Sequence, residues 1–455
     1  MVDDRFCVMK LVLTVIVFLC SISVGLAQAP TYTQDIAPVM YKNCLPCHRT
    51  GGTAPFPLET FKQVKQKGNF IKYVTEIDYM PPWKANPHYR SFANEKYLTA
   101  EEKEKIKKWV EGGTPEGPKD KLPSMPQFPD GSQLLGKPDM VLQMKKPYVV
   151  QGNNQEQYIC YKIPYELPND TFACGIEFIA GNRKLVHHAS YQVLAVPDDV
   201  DIFSGPDYFV YGDSSFVDDA HDYGYFNLIN QYGEGPVEVF HSGYLPGTSP
   251  QVFNDGIGFR LPKRGILMIR NLHYAPSPVE QTDQSKIHIY FSKKPVDRAI
   301  GFAAFKPTNP NPGADWVIPA DSIKQFYINV KLHDDISLLA INPHMHKLGK
   351  YFKVYCVTPA GDTIKLVEIP DWDFNWQEFY RFKNIVKLPK GSVLRAEALF
   401  DNTAANDQNP YSPPRDVFFE RGMDDKDEMM RLVMLYLPYK EGDEAIVLEK
   451  QLSER

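Results

Sequence analysis

The sequence predicts a small all-α unit followed by two all-β, jelly-roll-like sandwiches. Three observations carry this. From about residue 136 onward, short alternating apolar and polar runs recur between turn residues, and no helix-period segment of comparable length intervenes. A strongly helical segment, 99–117, lies ahead of them, followed by "PKDKLPSMPQFPDGSQLL" (118–135), whose Pro, Lys and Asp read as a linker. The β-rich remainder, about 320 residues, is long for one sandwich and divides better into two, 136–295 and 296–455, near "SKKPVDRAIG" (292–301).

Residues 1–29 read as a secretory leader. Met9 and Lys10 precede the apolar run 11–19, and small residues lead to a cleavage site near Ala27 or Ala29. "VDDRF" is an odd preface to a leader, so Met9 is an alternative start. The mature chain is expected in the periplasm or outside the cell, and Cys20 permits a lipid anchor. Net charge is −6 with no basic stripe, which argues against nucleic acid as a partner. The 26 Tyr, 27 Phe and 38 Pro favour strands joined by turns.

Residues 44–48 read "CLPCH". In C-x-x-C-H the two thiols attach a haem covalently and the histidine ligates its iron. A zinc site would need a second cysteine pair nearby, and a redox dithiol a βαβ setting. Neither is visible. Cys44, Cys47 and His48 are therefore the expected haem attachment. Met80, in the Pro-rich "YMPPW" (79–83), is the expected second axial ligand, with His88 next. In the helix after Thr99, Thr99 is the N-cap and Glu102 completes a capping box. Ile106, Trp109 and Val110 share a face, and Gly112–Gly113 stop it. Residues 30–117 resemble a class of small c-type cytochromes, with "DIAPVMYKNCLPCH" and "MPPW" as the matching pieces.

Seven cysteines are present. With Cys7 and Cys20 in the leader and Cys44 and Cys47 at the haem, Cys160, Cys174 and Cys356 remain. This odd set leaves room for one disulfide, and Cys160 and Cys174 are nearest in sequence.

The strand region carries the metal-capable residues. "NPHMHKLGK" (342–350) follows the apolar run "ISLLAI". In a strand, His344 and His346 point to one face and offer two nitrogens to one point. "KLVHHAS" supplies His187 and His188, "RNLHYAP" His273, and "DDKDEMMRLVMLYLPY" Met429 and Met430. Adjacent residues in a regular strand face opposite ways, so His187 and His188 can meet one ion only at a bulge. Each histidine taken singly is an ordinary structural residue; five beside apolar strands are harder to dismiss. His221, His241, His288 and His333 are expected to have no metal role.

In "VHHA", "LHY", "H-x-H-x-LGK" and "DEM", in that order, the chain resembles the copper type II, ascorbate-dependent monooxygenases, the peptidylglycine and dopamine hydroxylating enzymes. The likeness spans about residues 150–440. It implies two copper ions in separate sandwiches facing each other across a cleft. His187, His188 and His273 would hold the electron-transferring copper. His344, His346 and Met429 would hold the copper where O2 reacts, with Met430 as the neighbouring alternative. Imidazole suits both copper oxidation states, and a thioether favours Cu(I). Peptide-amidating members have an arginine where this chain has Asn342, and an asparagine and a tyrosine where it has Arg431 and Val433. Peptide amidation is therefore not expected. The acidic, aromatic stretch 198–226 reads as an inserted loop that walls the cleft or meets the haem unit.

The expectation is an exported copper monooxygenase hydroxylating a C–H bond of an unidentified organic substrate with O2. Electrons would come from the tethered haem, alone or alongside ascorbate, and from an external redox partner upstream. A non-catalytic haem and copper electron-transfer or copper-handling protein is the alternative.

Overall fold

The structure is a computed structural model that describes residues 29–128, 132–134, 136–211, 219–307, 316–419 and 427–448. The leader, with Cys7 and Cys20, lies outside the described residues apart from Ala29.

The N-terminal part is helical. A continuous run through Tyr32–Ile36 and Ala37–Asn43 ends at Cys44. Phe61–Gln66, Gly68–Glu76 and Ala100–Glu111 follow. The last begins as its sequence implies: the Thr99 hydroxyl accepts from the Glu102 backbone N–H, and the Glu102 carboxylate accepts from that of Thr99. Gly113, at φ +82°, ends it in the left-handed region where glycine has no Cβ penalty. Tyr32, Ile36, Met40, Ile106 and Trp109 form a separate core.

The next strands build two facing sheets. One runs Met140–Gln143, Lys286–Phe291, Thr171–Ile179, Ile257–Leu261, Arg298–Ala299; the other runs Tyr208–Val210, Gln157–Glu166, Arg264–Tyr274, Val186–Ala195, Val237–Tyr244. At Ile300 the chain passes from pairing with the first group to pairing with the second. Two further four-stranded sheets follow. They run Gly301–Phe305, Met430–Pro438, Ile336–Met345, Tyr380–Leu388 and Ile323–Lys331, Val393–Asp401, Gly349–Val357, Thr363–Ile369. Alternation explains the second pair: in Val393–Asp401, Leu394, Ala396, Ala398 and Phe400 are buried while their neighbours are not. The first core runs without a break into Leu339, Phe379, Val433 and Leu435 of the second pair, so the two sandwiches meet through apolar contact.

Four expectations change. The N-terminal unit is not simply tethered. Residues 83–96 leave it and pack on the second sandwich: Phe92 enters that core, Trp83 packs edge-on to Tyr380, and Ala93 N–H donates to the Arg381 carbonyl. This covers the free edge of Tyr380–Leu388, which would otherwise present unpaired backbone groups. The stretch read as a linker ends fastened too. Arg49 donates to the Ser132 carbonyl, and Glu177 accepts from Ser132 and from Gln133 N–H.

Among the described residues, none of the inserted stretch lines the cleft. Its described part folds onto the outer face of the five-stranded sheet, with Ile202, Phe209 and Phe226 against Cys160, Ile266 and Met268. None of the five cysteines among the described residues is in a disulfide, so Cys160 and Cys174 are not joined to each other. They sit in different sheets, Cys160 in apolar surroundings and Cys174 close to the Tyr290 and Phe291 carbonyls.

Candidate metal centres

The first centre depends on two register errors that cancel. Strand Arg264–Tyr274 pairs with Val186–Ala195 in regular antiparallel register as far as Arg270 opposite Ser190. The next pairs are His273 with His188 and Tyr274 with Val186. One extra residue is taken up near Asn271 on one strand, and His187 is the extra residue on the other. Asn271 has φ +48°, a region asparagine tolerates better than most residues. The bulge lets adjacent His187 and His188 face one point, which a regular strand forbids.

There the Nδ1 atoms of His187 and His188 lie 3.2 Å apart, and those of His188 and His273 3.3 Å apart. One ligand atom from each of the three histidines lies within 4.8 Å of the others. An ion about 2.0–2.1 Å from three nitrogens at tetrahedral angles needs them about 3.3 Å apart. Hydrogen bonding alone serves this arrangement poorly. One Nδ1 carries a proton or a lone pair, and cannot suit two facing Nδ1 atoms at once. Tyr158 stacks on the His273 ring at 4.1 Å and 8°, fixing its plane. Burial, then the neighbouring His273 and His187, hold the His188 imidazole well below the ordinary histidine value. It is therefore neutral near pH 7, with a lone pair to give.

The second centre needs no bulge. Met345 pairs with Met430 and His344 with Arg431, so continuing the register sets His346 opposite Met429. His344 and His346 share a face, their ring centroids 5.2 Å apart. His344 Nδ1 lies 2.6 Å from Gln377 Oε1, and His346 Nδ1 lies 2.8 Å from the Asp427 carbonyl. Each oxygen takes an Nδ1–H, which leaves both Nε2 atoms as lone-pair donors. The buried Glu428 carboxylate accepts from the backbone N–H groups of His346, Leu348 and Met429, clamping the two ligand segments together. Met429 faces the cavity, whereas Met430 is fully buried in the second core and so is not the sulfur offered. Burial, then His346, push the His344 imidazole down to about 3.

Both centres open on one cavity of about 450 Å³, lined among others by His188, His344, His346 and Met429. Phe374 stands between them, its ring 6.4 Å from those of His187 and His188 and 5.5 Å from that of His346. Asn342 donates to the Glu378 carbonyl, and Arg431 faces the cavity beside His344. From the insertion, Asp222 reaches this wall only through its ion pair with Arg270.

Residues 323–443 match the family model described as copper type II ascorbate-dependent monooxygenase, C-terminal domain. The match supports that family of copper- and ascorbate-dependent oxidoreductases, and it contains His344, His346 and Met429. His187, His188 and His273 lie outside the matched residues. No curated protein matches the chain. Among solved structures, the chain is similar to PNGF-II at 10% identity, covering 65% of each chain with a TM-score of 0.25. It is also similar to the infectious bursal disease virus VP2 subviral particle at 7%, covering 68% of this chain and 73% of that one, TM-score 0.18. Likenesses this distant carry no argument.

The "CLPCH" segment adjoins the matched domain's neighbour. Cys44, Cys47 and His48 are half-buried, and His48 Nδ1 lies 3.0 Å from the Phe56 carbonyl, leaving Nε2 for a ligand bond. A Cβ at Gly247 would come 3.8 Å from Cys47 Sγ and 4.0 Å from Pro82, so the first sandwich, the cysteine loop and the Met80–Trp83 turn meet there. Met80 is half-buried; His88 is exposed. Tyr79 packs edge-on to Trp376, two residues from Phe374.

Sequence reasoning missed Gln377, Phe374 and the positioning role of Glu428. It set aside His241, which lines the cavity 2.9 Å from Glu238. The clue for Gln377 and Phe374 was slight: an aromatic loop, "DWDFNWQEF" (371–379), whose approach to the histidines only the fold reveals.

Proposed function

We propose that the chain is an exported copper monooxygenase that hydroxylates a C–H bond of an organic substrate with O2. The observation that carries this is the single cavity shared by an all-nitrogen cluster and a cluster of two nitrogens and a thioether. When bound, copper would supply one-electron chemistry with O2 at His344, His346 and Met429, and electron transfer at His187, His188 and His273. Cys44, Cys47, His48 and Met80 would hold a haem c, which when bound would supply electrons one at a time, alone or with ascorbate.

The chain's own residues do the rest. Gln377 and the Asp427 carbonyl take the Nδ1–H groups of the two imidazoles, which leaves their Nε2 lone pairs for a metal. Phe302, Phe379 and Val433 give the cavity an apolar wall suited to a hydrocarbon segment. Asn342, Arg431 and Val433 stand where the amidating relatives keep their peptide anchors, and Asn342 is already engaged with Glu378. The substrate is accordingly something other than a glycine-extended peptide.

The test is a product screen with labelled O2 on protein carrying two coppers and one iron. Label in an organic hydroxyl is the expected result. Two coppers with no labelled product would favour the electron-transfer or copper-handling alternative. Iron alone would point to a haem-tethered module instead.

A further inference from the structure

The loop that orients His344 is held from outside its own sandwich. Gln377, whose side chain accepts from His344 Nδ1, stands next to Glu378. The Glu378 carboxylate is 8% exposed and meets Lys96 Nζ at 2.5 Å. It also accepts from Ser249 N–H of the first sandwich. Lys96 donates as well to the Gly247 carbonyl, on the loop that touches Cys47 and Pro82. One ammonium from the N-terminal segment thus ties both sandwiches together at the second centre. Its neighbours reinforce it. Asn94 donates to the Phe379 carbonyl and accepts from Arg381 N–H, and Lys84 reaches Asp371 and Asp373. On the loop's inner side, Trp372 donates to the His346 carbonyl, and the Glu378 carbonyl accepts from Asn342, two residues before His344. The segment 371–379 is therefore gripped on one side by residues 84–96 and on the other holds the ligand strand.

We propose that Lys96 is a positioning residue for the His344–His346–Met429 centre, acting through Glu378 and Gln377, so that this centre is completed only when the N-terminal segment is docked. The proposal rests on the copper reading above. The physical reason is the enclosed carboxylate. Without Lys96, the enclosed Glu378 carboxylate loses its direct ion-pair partner; the Ser249 and Phe379 N–H groups and the nearby Arg381 guanidinium answer it less fully, and the loop shifts to hydrate it. Any such shift moves Gln377, freeing the His344 ring to turn. Loss of such a supporting contact typically lowers metal affinity by about 10–100-fold.

The experiment uses the full chain, with each centre isolated by removing a ligand from the other. In a His188→Ala background, Lys96→Met should weaken copper binding at the second centre by about tenfold or more in a chelator competition and alter its Cu(II) EPR signal. In a His344→Ala background the same change should leave the first centre unaltered. Lys96→Arg should retain the affinity, and Glu378→Gln added to Lys96→Met should recover part of it by removing the stranded charge. Wild-type affinity and an unchanged signal in Lys96→Met would overturn the proposal. So would equal weakening of both centres, which marks a general loss of packing. If the unsubstituted chain takes up no copper at either centre, the functional reading falls and this proposal with it; copper at both with an indifferent Lys96 removes the proposal alone.

Discussion

The two histidine clusters reach the same cavity by opposite routes. The second uses the ordinary alternation of a strand: His344 and His346 face one way because they are two residues apart, and Met429 follows from the register of the neighbouring strand. The first breaks that alternation twice, near Asn271 and at His187, to bring adjacent histidines together. The first cluster directs Nδ1 atoms at one another, 3.2 and 3.3 Å apart. The second hands its Nδ1 atoms to Gln377 and Asp427 and offers Nε2. One centre is made by backbone irregularity and ring stacking, the other by regular strands and supporting side chains. They should therefore fail in different ways.

The largest difference is expected from ligand removal. His188→Ala and His344→Ala should each lose one of two coppers while keeping the other, with affinity at the altered centre down by well over about a hundredfold, beyond the range for supporting residues. Metal analysis checks this, and simultaneous loss of both ions would show that the centres are not independent.

Next, Gln377→Leu should weaken copper at the second centre alone, by about 10–100-fold. A chelator titration on the His188→Ala chain reads it. The reciprocal change is Asn271→Ile, which puts a β-branched residue at φ +48°. It should cost about 1–3 kcal/mol of stability and disturb the first centre alone, whereas Asn271→Gly should be tolerated. Chemical denaturation and metal content together distinguish the two.

The smallest effect, taken over one pH unit, is shared by both centres and reads the metal-free protein. His344 is held down to about 3 and His188 well below its ordinary value, chiefly by burial. In the unfolded chain both take up protons near 6.5. For His344 the contribution to stability is fully present above that value and is lost as pH falls from about 6.5 toward about 3, by at most about 1.4 kcal/mol per pH unit, and His188 acts in the same direction. His344→Gln should flatten this slope in a denaturation series; an unchanged slope would mean that His344 already titrates normally when folded.

The same contrast explains what could be read from the sequence. The His344–His346 pair and its shared face were legible, because period two is a property of any strand. The strands at 157–166, 264–274, 323–331 and 393–401 were legible from the same alternation. The residues alone left Met429 and Met430 as alternatives; the resemblance favoured Met429, and the structure turns Met430 into the core. The bulge was visible only as a difficulty: two adjacent histidines where a straight strand could use one. Gln377, 33 residues from His344, and Phe92, whose ring packs on Tyr380 and Phe382 about 290 residues further on, could not be placed, since no local pattern records which loop closes on which strand. The linker expectation missed the fastening at the end of that stretch for a related reason. Pro and Asp report the absence of regular structure, and a segment without it can still be buried and bonded, as Ser132 is.

Copper X-ray absorption of the reduced, metal-replete protein tests most directly whether two unlike copper centres face one cavity. Two coppers per chain are expected, with one sulfur scatterer at about 2.3 Å shared between them. That scatterer should persist in His188→Ala and vanish in Met429→Ile. A spectrum without sulfur, or one in which sulfur survives the loss of Met429, would contradict the assignment of the second centre and the oxygen chemistry built on it.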